Sequence, residues 1–332
     1  MTGDGGGRRT GTGPLRARRR ARLGMTPPAG LLTVHVGEGP SVRTAHVARV
    51  PGRPAPLLVV LHGAGGDGPV TAGMSRLGTR GPAAGFATAF PDGVRRVWND
   101  GRTGARLASR QGVDDVAFVL ALVDRLVADG IADGPTFFVC GMSNGAFLAD
   151  HLARSTGRVR GLGLVAGTAS EVGRAHGPAE AAHPLPVVMF HGTADPLVPY
   201  GGGPIGPLGR AVARRDRRRG EGSAGRGRSV GAPQLAESWA AVNGDPPTPV
   251  VERLPVPDGA LPVERATWWS AGHHPVVLHT VFGGGHAWPG GPRYLPERLV
   301  GPIVPHLDAT GILLDRFGSG PPGAGHAGRP PG

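Results

Sequence analysis

The sequence predicts an α/β fold with a mainly parallel central sheet and helices on both of its faces. Three observations predict it. Strand-length apolar runs alternate along the chain with segments of helical spacing. Several of these runs are continuously apolar, as strands buried on both faces are. The chain has 332 residues, enough to bury a sizeable core.

The elements follow in order. Residues 31–36 and 42–50 alternate and read as two antiparallel strands. Residues 57–61 form a continuous apolar strand that ends in His62-Gly63-Ala64-Gly65-Gly66. A short strand at 86–90 is stopped by Pro91-Asp92-Gly93. Over 113–129, helical spacing puts Val116, Val119, Leu120, Val123, Leu126 and Val127 on one face. Asp114 and Asp115 stand where the helix dipole favours negative charge, and Gly130 ends the helix. Strand 136–140 leads through a tight Gly-Met-Ser-Asn-Gly turn into a helix from about 144 to 155. Buried strands are expected at 161–165, 185–190 and 275–282. Helical patterns lie at 232–242 and, less regularly, at 294–316. No internal repeat is visible.

Composition divides the chain. Gly (60) and Pro (35) exceed a quarter of the residues, a level associated with disorder, but they concentrate at the ends and in one internal stretch. The expected organisation is a basic, disordered extension over 1–30 and a folded domain over 31–317. That domain carries a flexible Arg-rich insert at about 201–228, and a disordered Gly/Pro tail follows over 318–332. The net charge is +12. Seven Arg in residues 1–24 and eight in 210–228 account for all of it, leaving a formally neutral body with no Lys anywhere. Arg clusters can bind nucleic acid, which defines one function class: a nucleic-acid-binding protein on an inactive scaffold. The plainer expectation is a pair of solvated arms, with nucleic acid not a partner. The single cysteine, Cys140, excludes an intramolecular disulfide. No run of about 20 apolar residues exists, so no membrane-spanning helix is expected. The N-terminus has the basic start of a secretion signal without the apolar stretch, and Met1 and Met25 are the two candidate starts.

The chemistry is carried by Gly141-Met142-Ser143-Asn144-Gly145 between a strand and a helix. This Gly-x-Ser-x-Gly turn is so sharp that the serine takes a strained backbone angle and its hydroxyl stands clear of the sheet. A serine nucleophile needs a base and an acid, in loops after later strands. Asp195, in His191-Gly192-Thr193-Ala194-Asp195-Pro196, follows strand 185–190 and is the acid candidate. His286, in Gly283-Gly284-Gly285-His286-Ala287-Trp288, follows strand 275–282 and is the base candidate. The expected catalytic triad is Ser143, Asp195 and His286. An oxyanion hole would use the backbone N–H of Asn144 together with that of Ala64 or Gly65, in the small-residue loop after strand 57–61. Met142, Trp98 and Trp288 are candidate substrate contacts. No Lys-Ser/Thr follows the Gly-rich loop, so it is not a phosphate-binding loop. His183, His273 and His274 lack metal-ligand spacing, and no metal or organic cofactor is expected.

With these residues the sequence resembles the polyhydroxybutyrate-depolymerase-type esterases, which are similar to feruloyl and acetyl-xylan esterases of the α/β-hydrolase fold. The resemblance runs from about residue 31 to 300. It rests on Leu61-His62-Gly63-Ala64-Gly65-Gly66, Pro91-Asp92-Gly93 with Trp98-Asn99, Asp114-Asp115-Val116, the Ser143 turn, the block from His191 to Tyr200, Trp239-Ala240-Ala241-Val242-Asn243-Gly244, and the block from Gly284 to Gly291. It implies a secreted serine carboxylic-ester hydrolase working through an acyl-enzyme, whose substrate is a polyester or an acylated polysaccharide or oligosaccharide. A serine peptidase or an acyltransferase of the same fold is the alternative. The chain departs from the family at the expected disulfide: Asp245 and the stretch Ser270-Ala271-Gly272-His273 stand where cysteines are found. The missing disulfide and signal weaken the extracellular location that the resemblance implies, and leave extracellular and cytoplasmic locations both open.

Overall fold

The computed structural model describes residues 25–102, 112–171, 182–206 and 227–319. The basic N-terminal segment, most of the Arg-rich insert and the Gly/Pro tail past Ser319 lie outside the described residues, as do the expectations attached to them. In chain order the strands are β1 (Leu32–Val36), β2 (Arg43–Ala48), β3 (Ala55–Leu61), β4 (Ala87–Pro91), β5 (Ala132–Met142), β6 (Val159–Val165), β7 (Val187–Gly192), β8 (Gly203–Pro204), β9 (Arg228–Ser229), β10 (Val250–Leu254), β11 (Val263–Trp268) and β12 (Val276–Val281). The helices are α1 (Gly68–Met74), α2 (Leu77–Ala83), α3 (Asp115–Ala128), α4 (Asn144–Ser155), α5 (Ala232–Asn243), α6 (Glu297–Val300) and α7 (Ala309–Gly318).

Ten of these strands form one sheet in the order β1, β2, β4, β3, β5, β6, β7, β12, β11, β10. The six from β4 to β12 run parallel. Antiparallel strands extend the sheet at both edges. Alternate side chains of the central strands enter two cores, as the two-residue period of a strand requires. Leu57, Val59, Leu61, Phe137 and Val139 pack with Phe118 and Leu122 of α3, Leu148 and Leu152 of α4, and Leu235 and Trp239 of α5. Leu58, Val60, Phe138 and Cys140 pack with Met74 of α1, Leu77 of α2, and Leu313 and Phe317 of α7. Helices therefore cover both faces.

The structure corrects several local expectations. The buried face of α3 is Phe118, Val119, Leu122, Val123 and Leu126, with Val116, Leu120 and Val127 at its margins. Its largest side chain, Phe118, turns inward and sets the rotation. Asp114 caps this helix by accepting from Ala117 N at 2.8 Å. Asp115 does more than meet the dipole: it is buried, ion-paired to Arg43 at 2.7 Å, and accepts from Asn99 N at 2.6 Å. The irregular pattern over 294–316 is two helices, because Gly301, at φ 77°, and Pro302 and Pro305 interrupt it. Helices α1 and α2 give no periodic signal because small residues fill them. A Cβ at Gly68 would stand 2.2 Å from the Phe90 carbonyl, so glycine there serves close packing. Strand β11 and the edge strand β10 likewise give no clear signal in the sequence. Val250 and Val251 on β10 are exposed, and no buried stripe marks the strand. The two ends of the insert are paired: Gly203 opposes Ser229 and Pro204 opposes Arg228.

Candidate active site

Strand β5 ends at Met142, and α4 begins at Asn144. Ser143 alone makes the turn between them, at φ 54° and ψ −121°. A side chain in this region costs of order 1–3 kcal/mol, which the surrounding structure must offset. The glycines on either side explain how it is held. A Cβ at Gly141 would lie 2.2 Å from Gly145 O, and one at Gly145 would lie 2.3 Å from Leu61 O. Strand and helix can close this far only without those carbons. Ser143 N donates to Val165 O at 2.9 Å, which pins the turn to β6. The side chain is half-exposed, and its Oγ makes no hydrogen bond among the described residues.

Strands β7 and β12 are parallel neighbours whose paired ends are Gly192 and Val281. Their following loops carry Asp195 and His286 to one place. His286 Nδ1 lies 2.7 Å from Asp195 Oδ2, and both residues are buried. A carboxylate accepts, so Nδ1 carries the hydrogen and Nε2 presents its lone pair. The other oxygen, Asp195 Oδ1, accepts from Leu197 N at 2.8 Å and Val198 N at 2.9 Å. Burial acts to raise the Asp195 carboxyl, but His286, His191 and the Val198 amide outweigh it and hold it below the usual carboxylate range. Tyr294 OH donates to His286 O at 3.1 Å and steadies the loop.

The loop after β3 runs beside the turn: a Cβ on Gly63 would be 3.4 Å from Ser143 Cβ. Of the two donors expected here, Gly65 is already engaged, its N–H donating to Arg96 O at 2.7 Å. Gly66 N donates to Gly63 O at 2.9 Å. The N–H groups of Ala64 and Asn144 make no hydrogen bond among the described residues. Of the pair Ala64 and Gly65, Ala64 is the one whose N–H is unengaged among the described residues.

The three expected substrate contacts are placed differently. Trp98 and Trp288 are each 1% exposed and Met142 is 3% exposed. Trp288 lies in the core with its Nε1 donating to Thr310 Oγ1 at 3.0 Å. Met142 packs in the same core. Trp98 Nε1 donates to His62 O at 2.8 Å. An indole wants both burial and a partner for its N–H, and the two tryptophans find both inside the protein.

No protein-family model matches the chain. A curated relative named "Putative esterase NocK", from Nocardia uniformis subsp. tsuyamanensis, is 29% identical over 278 residues, spanning 80% of this chain and 76% of its own. Among solved structures, an acetyl xylan esterase from Aspergillus awamori superposes with a TM-score of 0.53 at 17% identity, over 80% of this chain and 96% of that one. At that identity the likeness is one of fold. The chain has the α/β-hydrolase fold.

Within the α/β-hydrolase frame, several residues that sequence reasoning passed over support the site. His62 is fully buried between two fixed partners: its Nδ1 donates to Gly63 O at 2.9 Å, and its Nε2 accepts from Gly93 N at 2.9 Å. That pattern requires the neutral ring, and burial pushes its pKa below the ordinary value. His191 donates from Nε2 to Val198 O at 2.9 Å and lies 3.6 Å from Asp195 Oδ2. Burial lowers its pKa too. Both histidines stand in motifs that the sequence displays, but nothing in a motif tells a structural imidazole from a reacting one. No group of His, Cys, Asp and Glu among the described residues is arranged to hold a metal ion. No helix among them is long and apolar enough to cross a membrane.

Proposed function

We propose that this protein is a serine carboxylic-ester hydrolase that works through an acyl-enzyme on Ser143. The observation that carries the reading is the buried Asp195–His286 pair at 2.7 Å. It stands on the same C-terminal edge of the parallel strands as the strained Ser143. Ligands of open α/β sheets bind at that edge. The names of the curated relative and of the superposed structure both describe esterases, which supports the same reading.

In this mechanism Ser143 Oγ attacks the ester carbonyl while His286 Nε2 takes its proton. Asp195 keeps the imidazole in the needed tautomer and stabilises the imidazolium. The carbonyl oxygen becomes an oxyanion facing the N–H groups of Ala64 and Asn144; one such donor is typically worth roughly 2.7–4 kcal/mol to the transition state. His286 then gives its proton to the departing alcohol. Water attacks the acyl-enzyme with His286 again as base, and Ser143 is regenerated. Apo sites are often looser than reacting ones, so the Ser143–His286 hydrogen bond is expected to form with substrate bound. The proposed substrates are hydroxyalkanoate, acetyl or feruloyl esters, on a polymer or on an acylated saccharide, as the sequence resemblance implies.

The test is a fluorophosphonate probe followed by peptide mapping. Labelling on Ser143 alone, lost in His286→Ala, is the expected result, and it leads to a screen of the three ester classes against amide substrates. A folded protein that takes no label would mean that the serine is not activated, and the esterase reading would fall.

A further inference from the structure

We infer that Trp98 and Asp100 are positioning residues for the two oxyanion donors, acting through His62 and Asn144. This inference rests on the esterase reading above. It concerns how the donors are held relative to each other, which that reading leaves open.

The donors belong to separate segments. Ala64 is on the loop after β3, and Asn144 opens α4. A stabilised oxyanion needs both N–H groups aimed at one point, so some element must set their separation. Trp98 touches both sides. Its backbone N–H donates to Asn144 Oδ1 at 2.8 Å, and its carbonyl accepts from Asn144 Nδ2 at 3.2 Å. The Asn144 amide thus grips the Trp98 residue at two points. On the other side the Trp98 indole N–H donates to His62 O at 2.8 Å, two residues before Ala64. The indole also packs on the His62 ring at 4.6 Å between centroids. One buried residue therefore connects the chain next to Ala64 with the residue that supplies the other donor.

Asp100 fixes the sense of that grip. Its Oδ2 accepts from Asn144 Nδ2 at 2.6 Å. A carboxylate takes only the NH2 end of the amide, so Oδ1 must face the Trp98 N–H. Asp100 is 3% exposed, and its charge is met by Arg102, whose Nε lies 2.8 Å from Oδ2. The Arg102 guanidinium lies over the Phe147 ring of α4, 4.2 Å from its centroid. A buried ion pair is a poor source of net stability, because desolvation consumes most of the attraction. A charge here accounts better for the orientation of the Asn144 amide than for the melting temperature.

The experiment compares Trp98→Phe and Asp100→Asn with the wild type by steady-state hydrolysis of p-nitrophenyl acetate, fluorophosphonate labelling and thermal melting. Trp98→Phe keeps a ring in the core and removes the indole N–H, so the test survives if Asp100→Asn folds poorly. We expect kcat per labelled site to fall about tenfold or more, with KM within about twofold of wild type, because the lost interaction is one made to the transition state. Variants that keep wild-type kcat per labelled site would overturn the inference, whatever their melting temperatures. So would a wild-type kcat in Trp98→Phe alone, because the bridge to the loop that holds Ala64 would then carry nothing. A wild-type protein that neither labels nor hydrolyses would overturn the esterase reading and this inference together.

Discussion

His286 and Asp195 lie 91 residues apart in the chain, yet His286 Nδ1 and Asp195 Oδ2 meet at 2.7 Å. The β7–β12 register brings them together, since Gly192 opposes Val281 and the loops that follow leave the sheet side by side. Asp195 cannot turn away, because Leu197 N and Val198 N hold its other oxygen.

The first prediction concerns this pair. Asp195→Asn should fold, because Asn can still accept the two backbone N–H bonds. Its amide group would favour the wrong imidazole tautomer. We expect kcat to fall by roughly 10⁴-fold, as in the equivalent substitution of a serine-protease triad. A stopped assay with p-nitrophenyl acetate, paired with circular dichroism, checks both halves; a fall below tenfold in a folded variant would argue against a triad role for Asp195.

Ser143→Gly should separate stability from activity. At φ 54° and ψ −121° a side chain is strained, and glycine relieves it. The variant should gain about 1 kcal/mol of stability while losing ester hydrolysis. Ser143→Ala should lose activity equally without that gain. Urea unfolding of the three proteins measures the difference, and a less stable glycine variant would show that the turn is not strained.

Gly145→Ala should be among the most damaging single-methyl additions in the protein. The new carbon would sit 2.3 Å from Leu61 O and 2.6 Å from His62 O, both backbone atoms. Neither can move without shifting β3 and the loop that holds Ala64. We expect a loss of about 3 kcal/mol or more, with activity lost in whatever remains folded. Normal melting and normal kcat would refute the packing argument.

The acid side of the stability curve should depend on His279. It is buried against Phe190, and burial lowers its pKa from 6.5 to about 4. Above pH 6.5 the ring is neutral in folded and unfolded chains alike. As the pH falls from 6.5 toward 4 the unfolded chain takes up a proton that the folded one refuses, so stability drops; below 4 this residue adds no further loss. The full effect is roughly 3 kcal/mol. His279→Phe should flatten the pH dependence of the unfolding free energy between pH 4 and 6.5, at whatever constant cost its larger ring brings. An unchanged slope would place the acid sensitivity elsewhere, with buried His62 and His191 the next candidates.

The parallel core strands and the helices α3, α4 and α5 were legible in the sequence because their patterns are local: a continuous apolar run, a 3.6-residue period, a glycine at a turn. The Ser143 turn was legible for the same reason, since glycines on both sides of a serine between strand and helix have few uses. Asp195 and His286 could be named from chain order and from their place after strands. Helices α1 and α2 could not be read, because their glycines answer to atoms of other segments, the Phe90 carbonyl at Gly68 and the Thr88 side chain at Gly81. Which of Ala64 and Gly65 keeps its N–H unengaged was also out of reach. It turns on whether the Gly65 N–H meets Arg96 O, a contact across 31 residues. Trp98 shows the division most plainly. The sequence by itself determined that a tryptophan stands near the motifs, and left open whether it faces a ligand. Only the tertiary structure decided that it is buried between His62 and Asn144, because burial depends on which segments the sheet order brings together.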